Sequence, residues 1–221
     1  MSAQPVPYFA PWDSVAIAMI DFETTGLRPG VDRAVEVGIA RFEQGQLVAQ
    51  VGSLIDPARP IPAEATEVHG ITDAMVQGMP ALSDFFASAP VRAALHDAQP
   101  GAYNSNFDRW FTPPAALPDW TWPWLDALPV VREVDKFARG QGRHKLSAAC
   151  KRHGVTLASA HRAADDARAA GELLLKLVPK VFAKAPCLGE VLGWMRQREA
   201  EQWVDFQSWL ARQPAREPVT P

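Results

Sequence analysis

The segment Val15-Ala16-Ile17-Ala18-Met19-Ile20 is apolar on both of the faces that alternate along a strand, and it runs directly into Asp21-Phe22-Glu23. A strand with no polar face must be covered on both sides, so this run predicts the centre of a sheet with other elements packed above and below it. Two further strands are expected over 33–42 and 47–55. The short connection Glu43-Gln44-Gly45-Gln46 predicts that they form an antiparallel hairpin.

From Pro62 the pattern turns helical, over 62–68, 72–77 and 81–96, with breaks at Gly70, Gly78, Pro80 and Pro100. A short strand at 101–103 returns to the sheet. Residues 113–124 hold four prolines and three tryptophans and predict no regular structure before Trp124-Leu125-Asp126. Helices follow over 127–138, 145–153 and 162–178. Strands first, then alternating helices and strands, give an α/β fold with a mixed sheet and helices on its faces. The 221 residues, 48% of them hydrophobic, suffice for one sizeable core. The expected organisation is an arm over 1–12, a main domain over 13–178 and a helical tail over 179–221.

In that tail Leu188, Leu192, Met195, Trp203, Phe206 and Leu210 recur at helical spacing, interrupted by Glu199. Two readings stay open: the stripe packs on the main domain, or it docks a partner. Cys150 and Cys187 stand far apart without metal-site spacing. The start of the chain carries no basic segment followed by an apolar run, and the longest apolar stretch is too short for a bilayer. A soluble, cytoplasmic protein without a membrane partner is the expectation.

Asp21 and Glu23 lie two residues apart on a strand and therefore share a face. Two carboxylates at the edge of an apolar sheet repel each other unless a cation or a basic partner compensates, and hard oxygen ligands select magnesium or manganese. Asp108 follows the polar stretch Asn104-Ser105-Asn106 at an expected helix start; taken alone it is only an acid near a helix dipole. In His161-Arg162-Ala163-Ala164-Asp165-Asp166, the helix ahead carries an apolar stripe of Ala163, Ala167, Ala170, Leu174 and Leu177. Asp166 lies at the edge of that stripe and Asp165 points away from it. His161 converges with Asp166 only if it precedes the helix proper, where a neutral imidazole suits a general base.

Taken in order, these segments resemble the DEDD nuclease superfamily in its histidine-containing branch, which includes the proofreading epsilon subunit of bacterial replicative polymerase and ribonuclease T. The likeness extends to Arg33-Ala34-Val35-Glu36-Val37-Gly38, to the stretch from Ile61 to Asp73, and to His144-Lys145-Leu146-Ser147, and covers roughly residues 14–178. It implies a ribonuclease H-like fold and a 3′-5′ exonuclease acting on single-stranded DNA or frayed 3′ ends and releasing nucleoside 5′-monophosphates. Asp21, Glu23, Asp108 and Asp166 would hold two divalent cations, Mg2+ or Mn2+, with His161 as base. Thr24, Thr25, Gly26, Glu64 and His69 would seat the terminal nucleotide. A DNA polymerase, or another replication or repair protein, would be the partner docked by the tail. Tyr103 and the Leu125-Asp126-Ala127 segment depart from the family's usual residues. An RNA-processing exonuclease and a catalytically silent nucleic-acid-binding module are the alternatives.

The net charge of −3 excludes a generally basic nucleic-acid binder, so any such surface must be local. Residues 132–162 supply one candidate. Arg132, Lys136, Arg139, Arg143, Lys145, Lys151, Arg152 and Arg162 face only Glu133 and Asp135, a balance of +6. Trp120, Trp122 and Trp124 offer either base stacking or packing.

Overall fold

The apolar run becomes β1, Ile17–Thr24, and both of its faces are covered. Ile17 and Met19 join a core with Trp12, Phe42 and Leu174, while Ala18, Ile20 and Phe22 join a second core with Phe85, Phe86 and Val91. This computed structural model describes residues 6–117 and 123–211. On one side β1 pairs antiparallel with β2, Ala34–Glu43, which pairs antiparallel with β3, Gln46–Leu54. On the other side lie β4, Gln99–Ala102, and β5, Leu125–Asp126, both parallel to β1. The order β3-β2-β1-β4-β5 is the mixed sheet of a ribonuclease H-like fold. Glu43 pairs with Gln46, so Gln44 and Gly45 alone reverse the chain, at φ 48° and 73°. Glycine takes that left-handed backbone without a Cβ clash, which makes the two-residue hairpin tight.

Helices α1, Ala63–His69, and α2, Asp73–Val76, fall where expected. The single helix expected over 81–96 is instead two, α3, Leu82–Ala87, and α4, Ala89–Leu95. Ser88 is extended between them, and Pro90 has no N–H to continue an earlier helix, so the break is local. After β4 come α5, Ser105–Phe111, and, beyond β5, α6, Ala127–Val134, and α7, Leu146–His153. α6 ends four residues short of the expected 138. Asp135 follows it directly, and its carboxylate turns to Arg152 and His153 of α7.

The long helix α8, Ala163–Val181, lies across β1 and β2 on its buried stripe of Ala163, Ala167, Ala170, Leu174 and Leu177. Pro179 sits in its last turn, where a missing N–H forfeits one helical bond near the end. Trp124 is buried with Phe22, Phe86 and Phe111, which is packing and not stacking on a base; Trp120 and Trp122 lie outside the described residues.

The tail forms α9, Leu188–Ala211, and its first half packs on the main domain. Leu188, Val191, Leu192 and Met195 are buried in the core that holds Trp12, Ala127 and Val130. The N-terminal arm clasps the same end: Leu188 N–H donates to the Ala10 carbonyl, Gly189 N–H to that of Tyr8, and Pro11 bridges Cys187. Beyond Glu199, Trp203 and Val204 are 60% and 61% exposed; the side chains of Phe206 and Leu210 lie outside those described. Among the described residues no helix is long and apolar enough to cross a membrane.

Each of the four buried tail side chains contributes about 1.5–3 kcal/mol by leaving water, against a typical net stability of about 5–15 kcal/mol. A chain truncated after Pro186 is therefore expected to be insoluble or to melt at least 10 °C lower (about 2–4 °C per kcal/mol for a domain this size). A soluble truncated protein melting within a few degrees of the full chain would show that the tail is not part of the core.

Candidate active site

Three chain segments bring the acids together. β1 ends with Asp21 and Glu23 on one face, α5 carries Asp108 in its first turn, and α8 carries Asp166 in its first turn. His161 precedes α8, as convergence required. Ligand atoms of Glu23, His161 and Asp166 lie within 4.8 Å of one another. His161 Nδ1 is 3.6 Å from Glu23 Oε1, and the His161 backbone N–H donates to Asp166 Oδ2 at 3.2 Å. The other oxygen, Asp166 Oδ1, is buried without a hydrogen-bond partner. Asp21 and Asp108 are outside that tight triplet but feel its charge.

Electrostatics join all four carboxylates. Burial pushes Asp21 well above the usual carboxylate range, and the charges of Asp108, Asp166 and Glu23 add to it. Asp108 is also raised, by burial and then by Asp126, with partial relief from the Phe22 backbone. Burial, Asp166 and Glu36 lift Glu23 to about 7, and burial lifts Asp166 to about 6 despite the His161 N–H. Arg28 does not compensate them: its side chain is 78% exposed and meets Asp32 at 3.8 Å. Buried like charges with an unpartnered carboxylate oxygen fit the donor set of hard divalent cations.

Beside these acids the turn after β1 is fixed from below. Thr25 Oγ1 donates to Asp32 at 3.3 Å and accepts from the Arg33 N–H at 3.0 Å, while Arg28 N–H donates to Asp32 at 2.8 Å. A Cβ on Gly26 would stand 2.7 Å from the Asp32 carboxylate, so the close approach requires glycine. Thr24 Oγ1 donates to the Gly26 carbonyl at 2.6 Å. His69 is buried at the end of α1 and its Nδ1 accepts the Ile71 N–H at 3.0 Å. The ring proton must then sit on Nε2, which is buried and faces the Thr24 backbone. Burial holds the His69 pKa down against the opposing pull of the Thr24 backbone, and the nearby His161 lowers it further. Glu64, on the same helix, is exposed.

Residues 18–174 match the RNase T exonuclease family. The chain belongs to this exonuclease family. The DNA polymerase III epsilon subunit of Treponema pallidum is 32% identical over 186 residues, covering 77% of this chain and 80% of that protein. An epsilon-like protein of Rhodobacter capsulatus is 34% identical over 200 residues, covering 85% of this chain and 27% of that one. Against the PolC-type DNA polymerase III of Thermotoga petrophila, 29% identical, 94% of this chain aligns but spans only 14% of the polymerase. Exonuclease X in complex with 5′ overhanging duplex DNA shares the fold at a TM-score of 0.62 and 24% identity, over 80% of this chain and 99% of that one. Escherichia coli exonuclease I with a dT13 oligonucleotide does so at 0.64 and 19%, over 76% of this chain and 42% of that one.

Within this exonuclease domain, three polar residues have roles that the sequence did not assign them. Asp32 pins the Thr25-Gly26 turn. Asp126 accepts from the N–H and Oγ of Ser105 at 2.8 and 2.9 Å and from the Leu128 N–H at 2.8 Å, tying the start of α5 to β5; burial lifts its pKa to about 7. Glu36 is buried on β2. Their signal was a lone acid in an apolar or turn context.

The basic run contracts. Arg152 is held by Asp135 and by the Arg143 carbonyl, Arg162 by Glu36, and Lys136 by Glu133. Arg132, Arg143 and Lys145 remain on the wall of a cleft of about 750 Å3 that His161 and Asp166 also line. Tyr103 shapes that wall by donating its hydroxyl to the His144 carbonyl at 2.5 Å.

Proposed function

We propose that this chain hydrolyses the terminal phosphodiester of single-stranded DNA, or of a frayed 3′ end, and releases nucleoside 5′-monophosphates one at a time. The observation that carries this reading is the continuity of the acidic cluster with the basic cleft. A phosphodiester backbone lying along Arg132, Arg143 and Lys145 arrives at Glu23, His161 and Asp166.

Asp21, Glu23, Asp108 and Asp166 are the residues that would hold two divalent cations. What bound cations supply is neutralisation of the four acids, polarisation of the attacking water and stabilisation of the leaving 3′ oxygen. His161, 54% exposed and in reach of Glu23, takes the water's proton. The pinned Thr25-Gly26 turn, with His69 packed beneath it, closes around the terminal sugar, so selection is for an end and not for base sequence. The named epsilon relatives support a DNA strand as substrate. They also support a polymerase partner, which would meet the exposed distal half of α9.

RNA is the second reading, since the 3′-exonuclease that recognises a histone mRNA stem-loop shares the fold at a TM-score of 0.58 and 15% identity. Competing equimolar labelled single-stranded DNA and RNA at saturating manganese decides it. Faster shortening of DNA is expected. Faster RNA loss would favour the second reading, and binding of either strand without turnover would make the chain a silent binding module.

A further inference from the structure

The segment Glu36-Val37-Gly38 of β2 takes no part in the hydrolysis proposed above, yet it forms the seat for Arg162, Ala163 and Ala164, the residues just after His161. Glu36 and Gly38 share one face of the strand. At Gly38 that face is cut back: an added Cβ would stand 2.1 Å from the Ala164 nitrogen, so the start of α8 lies directly on the strand. Glu36 fills the adjoining position with a carboxylate that is only 5% exposed. Its Oε1 accepts from Arg162 Nε and Nη2, both at 2.9 Å, and its Oε2 accepts the Ala163 N–H at 3.4 Å. These two residues immediately follow His161, which is held in the left-handed region at φ 66°. A non-glycine residue at that φ costs energy and persists only where its surroundings impose it.

We infer that Glu36 is a positioning residue: by gripping Arg162 and the Ala163 N–H from the sheet, it imposes the left-handed turn at His161 and aims the imidazole at Glu23. This rests on reading the site as an exonuclease site. Both oxygens of Glu36 face donors, so only a carboxylate satisfies both. A glutamine of the same shape must turn its NH2 toward either Arg162 or Ala163 and lose that contact. Arg162, 53% exposed, thereby serves the turn and not the phosphate backbone.

The test compares wild type, Glu36→Gln, His161→Ala and the double variant in single-strand hydrolysis at saturating manganese, with melting temperature and amide hydrogen exchange measured on the same proteins. Glu36→Gln is expected to lower kcat by about 10- to 100-fold, the order of loss that misplacing a catalytic group by an ångström produces. KM and the melting temperature should change little, and exchange should accelerate only around 161–166. In the His161→Ala background the same substitution should cost less than about threefold, because the group it positions is gone. Should Glu36→Gln fail to fold, Arg162→Lys, which keeps the charge but lacks the planar fork, takes its place in the cycle with the same expectation. Losses that multiply in the double variant, or an active wild type matched by Glu36→Gln, would overturn the inference. An inert wild type would instead overturn the exonuclease reading itself, and the inference with it.

Discussion

Asp166→Asn is expected to lower the single-turnover rate by orders of magnitude while leaving the fold intact, and Asp165→Asn is expected to be nearly silent. The two acids are adjacent in sequence but meet different surroundings. Asp166 is buried against Glu23 and His161, with one oxygen lacking any hydrogen-bond partner. Asparagine preserves its size and removes the charge that a cation needs. Asp165 turns to the far side, where it accepts from Gln50 Nε2 at 3.1 Å, and an asparagine carbonyl can keep that bond. Loss of its charge in the first turn of α8 should cost about 0.3–1 kcal/mol through the helix dipole. Single-turnover rates at saturating manganese, with circular dichroism on both variants, check this. Equal losses, or a larger loss at Asp165, would show that α8 meets the site by a different face.

The second large effect is on stability against pH in the absence of cations. Folded pKa values near 7 for Glu23 and Asp126 and near 6 for Asp166 all lie above the ordinary values of 4.5 and 3.8, and Asp21 and Asp108 are raised as well. The fold thus favours the neutral acids. The stability they contribute is complete below pH 4 and is lost as pH rises through 6 and 7. Asp135 moves the other way: burial pushes it up, but Arg152 and His153 hold it below its ordinary 3.8, so its stability is lost only in stronger acid. In chelator the protein should accordingly melt several degrees higher at pH 5 than at pH 8.

Cations are expected to reverse the trend by binding the ionised acids of the folded state. At 100 times the dissociation constant a single site adds about 2.7 kcal/mol. For a chain of this size that corresponds to a rise of about 5–10 °C. Magnesium or manganese should give this rise at pH 8 and little at pH 5. Melting curves in chelator that climb steadily from pH 5 to 8, with no response to either cation, would contradict the electrostatic account of the cluster.

Periodicity made the scaffold legible. The two-faced apolar run could only be a central strand, the Gln44-Gly45 turn could only join an antiparallel pair, and the alanine and leucine stripe of α8 announced which side it buries. What periodicity does not report is the partner of a stripe, so the two readings of the tail were separable only once Leu188, Val191, Leu192 and Met195 were seen in the core with Trp12. The same limit governed the site. Asp21 with Glu23, and Asp166 against Asp165, followed from strand and helix geometry. The pairing of Glu36, quoted only as part of the family likeness, was invisible because its partner Arg162 lies 126 residues away. Counting basic residues over 132–162 overstated the free charge for the same reason, since Arg152 and Arg162 were already taken by buried acids. The break at Ser88 was missed because an apolar stripe can run on through a one-residue interruption.

The central claim is that the acidic cluster and His161 remove nucleotides from a free 3′ end. It is tested most directly by incubating a 5′-labelled single-stranded oligonucleotide with the full chain and manganese, resolving the products at single-nucleotide steps and identifying the released species by mass. The account predicts a ladder that shortens from the 3′ end, release of nucleoside 5′-monophosphates, and no shortening in excess chelator or with Asp166→Asn. Internal cuts, release of nucleoside 3′-monophosphates, or undiminished hydrolysis in chelator would contradict it.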